Sequence, residues 1–365
     1  MSSYLKMEDT LYWLALNMVP GVGPIAYRNL VGTFHDPERV FAAPKQKLAA
    51  VEGIGEKTVE AIKTFPAAKM AAEELKKTAD LGASIVTFRD QGYPKNLLQI
   101  YDPPPLLYVR GKLDEGNPLM VAVVGSRKGS PYGRAVTKRI SKELASAGVT
   151  VVSGMARGID TFAHLGALEA DGRTIAVFGC GIDIIYPPEN KRLFDDIIGH
   201  GACISEFPLS TPPEGKNFPK RNRIISGLSM GVVIVEATAD SGSLITASYA
   251  LEQGREVFAV PGNVGMATSK GTNTLIKQGA KLVEGAQDIV TEILPQYGGV
   301  AKKDDLPALS NEEDGIFQLL SHTPLHIDEI SRLSQMEVRH VSTILLELEL
   351  KGVISQLGGK MFVRA

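Results

Sequence analysis

The sequence predicts an α/β protein built on a parallel sheet with helices on both faces. Three observations carry this. Between Leu119 and His164 an apolar run, Met120–Val124, stops at Gly125-Ser126-Arg127 and is followed by a helical pattern from Gly133 to Ala147. A second β-branched run, Val149–Val152, then stops at Ser153-Gly154 before Arg157-Gly158 opens another helix. This is β-turn-α-β-turn-α, the alternation of a parallel sheet. The pattern continues through apolar runs at Thr174–Phe178, Ala202–Ser205, Met230–Val235, Glu256–Val260 and Lys281–Val283, giving seven expected strands, apolar enough to be covered on both faces. Finally, short turns follow the runs: Gly179-Cys180-Gly181, Glu206-Phe207-Pro208, Glu236-Ala237 and Pro261-Gly262. All fall on the rim formed by the carboxyl ends of the strands, where open α/β sheets bind ligands and where the free N–H groups and positive dipole ends of the following helices suit phosphate.

Taken in order, residues 1–70 read as short helices joined by two glycine hairpins, Pro20-Gly21-Val22-Gly23-Pro24 and Glu52-Gly53-Ile54-Gly55-Glu56-Lys57. The pair resembles a helix-hairpin-helix (SAM-like) domain. The amides after each hairpin suit a DNA phosphate, while Glu52, Glu56 and Glu60 favour hairpins that only turn the chain. Residues 71–297 form the core with its leading bridge. The bridge has a helix, Ala71 to Leu81, a strand, Ser84 to Phe88, and Pro103-Pro104-Pro105, which imposes extended backbone along a sheet edge. Residues 298–310 (GGVAKKDDLPALS) read as a linker. Residues 311–365 read as three helices and a Gly358-Gly359 hairpin, the order of a winged-helix-like domain. The third helix, Glu337 to Lys351, is net negative, which favours a protein-contact or regulatory role over reading a DNA groove.

At 365 residues the chain is long enough for two or three domains, and 44% apolar with 22% charged residues describes a globular protein with a full core. No window of 18 apolar residues predicts a membrane span, and the start, MSSYLKMEDTLYW, has no signal-like segment, so a cytoplasmic location is expected. Cys180 and Cys203 offer neither a disulfide framework nor a metal cluster, and the six His are scattered; no metal and no cofactor is expected. The net charge of −2 hides an asymmetry: residues 284–351 carry 13 acidic and 5 basic residues, so an acidic section follows a mildly basic body.

Charge indicates the ligand. No acidic residue lies between Glu115 and Glu143, while Arg127, Lys128, Arg134, Lys138, Arg139 and Lys142 are positive, a density suited to a polyanion. Lys138, Arg139 and Lys142 are read as the solvated face of the crossover helix; Arg127 lies in the turn itself. Lys216-Asn217-Phe218-Pro219-Lys220-Arg221-Asn222-Arg223 places four cations, an aromatic and an Asn just before a helix expected near Ile224. Arginine contacts phosphate bidentately and phenylalanine stacks any base, which suits single-stranded nucleic acid. Asp160 and His164, at i and i+4, are expected to pair structurally.

These stretches, with GSR at 125–127, SGMARGID at 153–160, GCGIDIIYPPEN at 179–190, SEFP at 205–208, FPKRNRIISGLS at 218–229, SGSLITA ending at Ala247 and KGTNTLIKQGA ending at Ala280, occur in order and resemble the bacterial DNA-processing protein A (DprA/Smf) family. The resemblance covers about Tyr93 to Ala280. It implies an extended Rossmann-like core acting as a homodimer. It also implies a protein that binds single-stranded DNA, protects incoming DNA in natural transformation and loads the RecA recombinase. By matching position, Gly125, Ser126, Arg127 and Phe218, Lys220, Arg221, Asn222 and Arg223 line the DNA groove, joined by Arg157 and Gly158. Charge adds Lys128 and Lys216. The dimer contact is expected at Leu275 and Ile276.

Two enzymatic readings compete with binding. A dinucleotide oxidoreductase lacks its GxGxxG after the first strand and its acid after the second. A nucleotide-binding or nucleotide-hydrolysing enzyme of the lysine-decarboxylase-like group is the better rival. Its catalytic carboxylate is missing from Ser241–Ser248, but Glu206, Glu236 and Asp183 stand on the rim. With no poised nucleophile in sight, the expectation is a binder without catalysis.

Overall fold

The computed structural model describes residues 2–113, 119–293, 309–321, 325–351, 353–357 and 359–364. The chain divides into two compact units, residues 1–296 and 297–365. The expected linker falls on 298–310, of which 298–308 lie outside the described residues, as does Gly358 of the expected C-terminal hairpin.

The first unit opens with six helices: α1 (Ser2–Met18), α2 (Pro24–Phe34), α3 (Pro37–Ala42), α4 (Lys45–Ala49), α5 (Glu56–Thr64) and α6 (Ala67–Asp80). The two glycine hairpins are real turns, with Gly21 at φ +88° and Gly53 at φ +78°, conformations that any other side chain would strain. Asn29 Nδ2 donates to the Glu52 carbonyl at 3.1 Å and ties one to the other. These helices are not a separate unit. Leu14 and Ala15 of α1 pack into the same apolar cluster as Leu106 and Tyr108 of the sheet, and Trp13 meets Phe88 edge-on with ring centroids 5.3 Å apart.

The sheet follows: β1 (Ser84–Thr87), α7 (Lys95–Leu98), β2 (Leu106–Gly111), β3 (Met120–Val124), α8 (Pro131–Ser146), β4 (Thr150–Ser153), α9 (Ile159–Glu169), β5 (Thr174–Phe178), α10 (Lys191–His200) and β6 (Ala202–Ser205). Then come α11 (Asn217–Leu228), β7 (Gly231–Ile234), α12 (Gly242–Glu252), β8 (Glu256–Ala259), α13 (Lys270–Lys277), β9 (Lys281–Leu282) and α14 (Ala286–Ile293). Strand order is β1-β2-β6-β5-β4-β3-β7-β8-β9. The seven expected strands are β3 to β9 and all run parallel. The bridge adds two more: β2 pairs antiparallel with β6 and β1 with β2, so it does form one edge. Strand order reverses beside β3, whose neighbours are β4 and β7; this is the switch point of a doubly wound sheet, where a crevice opens.

The second unit holds α15 (Asn311–Leu319), β10 (Leu325–His326), α16 (Ile327–Ser334), α17 (Val338–Leu350), β11 (Ile354–Leu357) and β12 (Met361–Arg364), with sheet order β10-β12-β11. Ser310 and Glu313 close a capping box on α15, and Ile316, Ile330, Val341 and Leu345 fill the core. This is a winged helix. Among the described residues of this unit, only β10, two residues long, goes beyond the expected elements.

Among the described residues no helix is long and apolar enough to cross a membrane.

Candidate nucleic-acid interface

An open cavity of about 570 Å³ lies at the switch point, lined by the turns after β3, β4 and β7 and by the start of α11. The first two turns interlock through glycine. A Cβ on Gly125 would stand 2.8 Å from Ile159, and one on Gly158, already at φ +76°, would strike the carbonyls of Ser126 and Arg127. Ser126 N–H donates to the Glu236 carbonyl at 2.8 Å, and Ile159 N–H to the Ser126 carbonyl at 3.1 Å. Gly125 and Ser126 line the cavity; Gly158 serves the packing behind it.

The start of α8, where free amides were expected to suit phosphate, is already occupied. The Glu236 carboxylate accepts from Ser130 N–H at 2.8 Å and from Ser130 Oγ at 2.6 Å. Ser130 in turn caps Gly133 N–H at 3.0 Å, and a Cβ at Gly133 would collide with Glu236. A protein carboxylate thus offsets the positive end of this helix.

The cations sort into two groups. Arg127 Cζ lies 5.2 Å from the centroid of the Phe218 ring and Arg221 Cζ 5.9 Å from it, so one aromatic ring serves two guanidiniums. Gly179 makes room for that ring: a Cβ there would stand 2.8 Å from it. Tyr186 stands beside Phe218 with ring centroids 5.7 Å apart. Arg127, Lys128, Phe218, Arg221 and Asn222 all line the cavity. The others lie away from it. Arg157 chelates Glu189, and Lys216 pairs with Glu214 at 2.7 Å. Lys220 is exposed outside the cavity lining. Arg223, only 5% exposed, points inward to Glu206 at 2.5 Å and Asp102 at 3.1 Å.

This last placement corrects the expected groove loop. The segment is not a loop before a helix near Ile224; it is the first turns of α11, which starts at Asn217. Pro219 is compatible with a first helical turn, because the N–H it lacks has no acceptor there. Helical spacing then puts Phe218, Arg221 and Asn222 on the cavity side and turns Arg223 into the core.

Arg221 is itself 4% exposed. Its Nη1 donates to the Gly154 carbonyl at 2.6 Å and to the Val177 carbonyl, so it fastens the ends of β4 and β5 beneath Phe218. Burial pulls its pKa down to about 10. Burial likewise holds Asp160 above the ordinary carboxylate range, against the opposing charge of Arg221. Asp160 accepts from Ala156 N–H at 3.4 Å, whereas His164 shares a 2.7 Å hydrogen bond with Thr174 Oγ1, so the expected Asp160–His164 pair does not form. β5 passes close enough to give the histidine a nearer partner.

Glu206 and Glu236 are consumed as described, and Asp183 accepts from Ser210 N–H at 2.9 Å. Among the described residues no group of three or more potential metal ligands gathers. Lys138 and Lys142 pair with Glu169 and Arg139 with Glu143 on the helix surface, as expected of a solvated face. Leu275 and Ile276 are half-buried on α13, and Leu275 packs against the central core.

Thr238, Ser241, Gly242, Ser243 and Thr246 complete the far wall of the cavity, and sequence reasoning did not propose them as ligand-binding. The available signal was the same strand–turn–helix pattern that marks Gly125 and Gly154.

Residues 84–294 match the family described as DNA recombination-mediator protein A, residues 300–360 the DprA winged helix domain, and residues 14–65 a SAM-like helix-hairpin-helix tandem. Protein Smf of Synechocystis sp. is 35% identical over 98% of this chain and 99% of its own. Protein Smf of Escherichia coli is 44% identical over 73% and 74%. Among solved structures, DNA processing protein A of Streptococcus pneumoniae superimposes with a TM-score of 0.68 at 36% identity, covering 77% of this chain and 96% of that one. The Helicobacter pylori protein, described for its single-stranded DNA binding mode, gives a TM-score of 0.52 at 32% identity over 59% and 96%.

Proposed function

This chain belongs to the DNA recombination-mediator protein A family, and from that membership we propose that its first unit holds single-stranded DNA in the switch-point cavity without acting on it chemically. The observation that carries the reading is the Arg127–Phe218–Arg221 assembly: a stacking face with cations over it, open to one side and backed by glycine turns. Stacking with phosphate neutralisation favours a strand whose bases are free over a duplex. The rim carboxylates support binding over hydrolysis, since Glu206, Glu236 and Asp183 are each held by arginine, backbone or serine groups. By the same membership we propose that the chain acts in natural transformation, protecting incoming strands and delivering them to the RecA recombinase.

The test is titration of labelled single-stranded and duplex oligonucleotides at several salt concentrations. The single strand should bind more tightly. Arg127→Ala should weaken it by about tenfold and lower the slope of log affinity against log salt by about one. Equal binding of duplex, or an Arg127→Ala slope equal to the parent's, would refute the reading.

We further propose that two copies associate through α13. Leu275 is committed to the core, so Ile276 is the better probe of the pair. Ile276→Glu should shift sedimentation from dimer to monomer while the melting temperature stays near the parent's, because a buried unpaired charge costs several kcal/mol in an interface but little in water. A dimer that persists places the contact elsewhere.

A further inference from the structure

We propose that the first turn of α12 is a phosphate seat, which takes one phosphodiester of the bound strand while the Arg127–Phe218 wall holds the neighbouring base. The proposal rests on the single-strand reading above.

Asp160, buried beside Arg221 and Arg127, is the one acidic residue that lines the cavity, and the residues contributed by α12 and the turn before it include no carboxylate. The first turn of α12 has no acidic residue, unlike α8, whose start is held by Glu236, and α9, which carries Asp160. Asp240, just before α12, is engaged by Thr238 Oγ1 at 2.8 Å and does not line the cavity. The dipole at the start of α12 therefore meets only neutral partners: the Ser241 hydroxyl caps Ser243 N–H at 3.4 Å and the Ser241 carbonyl takes Leu244 N–H at 3.0 Å.

The independent observation is Thr246. It is 1% exposed, yet it lines the cavity. A helical threonine normally turns its hydroxyl to the carbonyl four residues back. Here that carbonyl, Gly242 O, already accepts from Asn222 Nδ2 at 3.2 Å in addition to its helical amide, which occupies both lone pairs. Thr246 Oγ1 makes no such bond. A buried hydroxyl denied its local acceptor and bordering a basic cavity is placed to donate to an anion. Ser241 and Ser243 add to it. Their hydroxyls share one hydrogen bond of 2.8 Å, so of two O–H groups one is left to donate. Gly242 leaves the approach clear, since a Cβ there would meet nothing within 4 Å.

The experiment measures binding of a 5′-labelled oligothymidine to the full chain and to Thr246→Val, Gly242→Leu and Arg127→Ala, each across a salt series. Thr246→Val keeps the buried shape and removes the hydroxyl; Gly242→Leu enters open space and blocks the turn, so both should fold, as circular dichroism will verify. Each should bind about tenfold more weakly, the worth of a hydrogen bond to a charged group. The salt slope should stay near the parent's, because helix amides and hydroxyls neutralise no full charge, whereas Arg127→Ala lowers it by about one. Affinities within twofold of the parent for both α12 variants, with Arg127→Ala still weakened, would overturn the seat and leave the groove standing. A parent chain that binds no single strand would overturn both.

Discussion

Arg223→Ala should destabilise the first unit by about 3–5 kcal/mol, read as a lowered denaturation midpoint, although the substituted residue belongs to the most basic stretch of the sequence. The guanidinium is the counter-charge for two carboxylates, Glu206 at 2.5 Å and Asp102 at 3.1 Å, in a site where it is 5% exposed. Removing it strands charge that water cannot reach. The pH dependence checks the cause. Burial holds the Glu206 carboxyl above its ordinary range even with Arg223 beside it. A folded-state pKa above the unfolded one contributes stability that is present in acid and lost as pH rises through the folded value. Without Arg223 the carboxyl shifts further up. The deficit of the variant should therefore be largest at neutral and alkaline pH and shrink toward the ordinary glutamate range. A deficit independent of pH would assign the loss to packing alone.

Arg221→Ala should fail in two ways at once. One nitrogen serves the carbonyls of Gly154 and Val177, so the variant leaves two buried acceptors unmet and opens a void under Phe218. Each unmet acceptor costs about 1–3 kcal/mol, which makes a total near 3–5 kcal/mol reasonable. Because Phe218 then loses its floor, affinity for single-stranded DNA should fall more than tenfold even where the variant is fully folded. Arg221→Lys should recover little of either, since an ammonium offers no planar surface beneath the ring and cannot also donate to Asn222 Oδ1, which Arg221 Nε reaches at 3.2 Å. The two arginines separate by salt. Arg127 is the cation expected to set the slope, and Arg221 acts chiefly through the geometry it enforces. Full affinity in a folded Arg221→Ala protein would refute the role given to Phe218.

Much of the rim is legible from sequence because its signals are local. Apolar runs of about five residues ending in glycine turns mark β3 and β4, and the boundaries fall within a residue or so of the expected ones. The bridge is legible for a similar reason: the prolines before Leu106 allow little but extended chain. Charge is different. Six consecutive residues, Phe218 to Arg223, have the composition of a binding loop, but composition does not show which cations are already paired. Asp102 and Glu206, the partners of Arg223, lie far from it in sequence, and only the register of α11 turns that arginine toward them. The same blindness hides Glu236 at the start of α8, which converts an expected anion site into a closed cap. It also hides α12, whose Ser241-Gly242-Ser243 invites comparison by the carboxylate it lacks, when the hydroxyl-bearing residues it has are what line the cavity.

The sheet ends at β9, two residues long, with Lys281 bound to Glu292. An open edge normally exposes a row of unpaired amides and carbonyls on which a further strand, or a strand of another molecule, can grow. Two residues offer too few, and a charged lysine among them adds a desolvation cost to any intruder. Growth of the sheet by a further strand at this end, and ribbon-like polymerisation through it, is thereby suppressed.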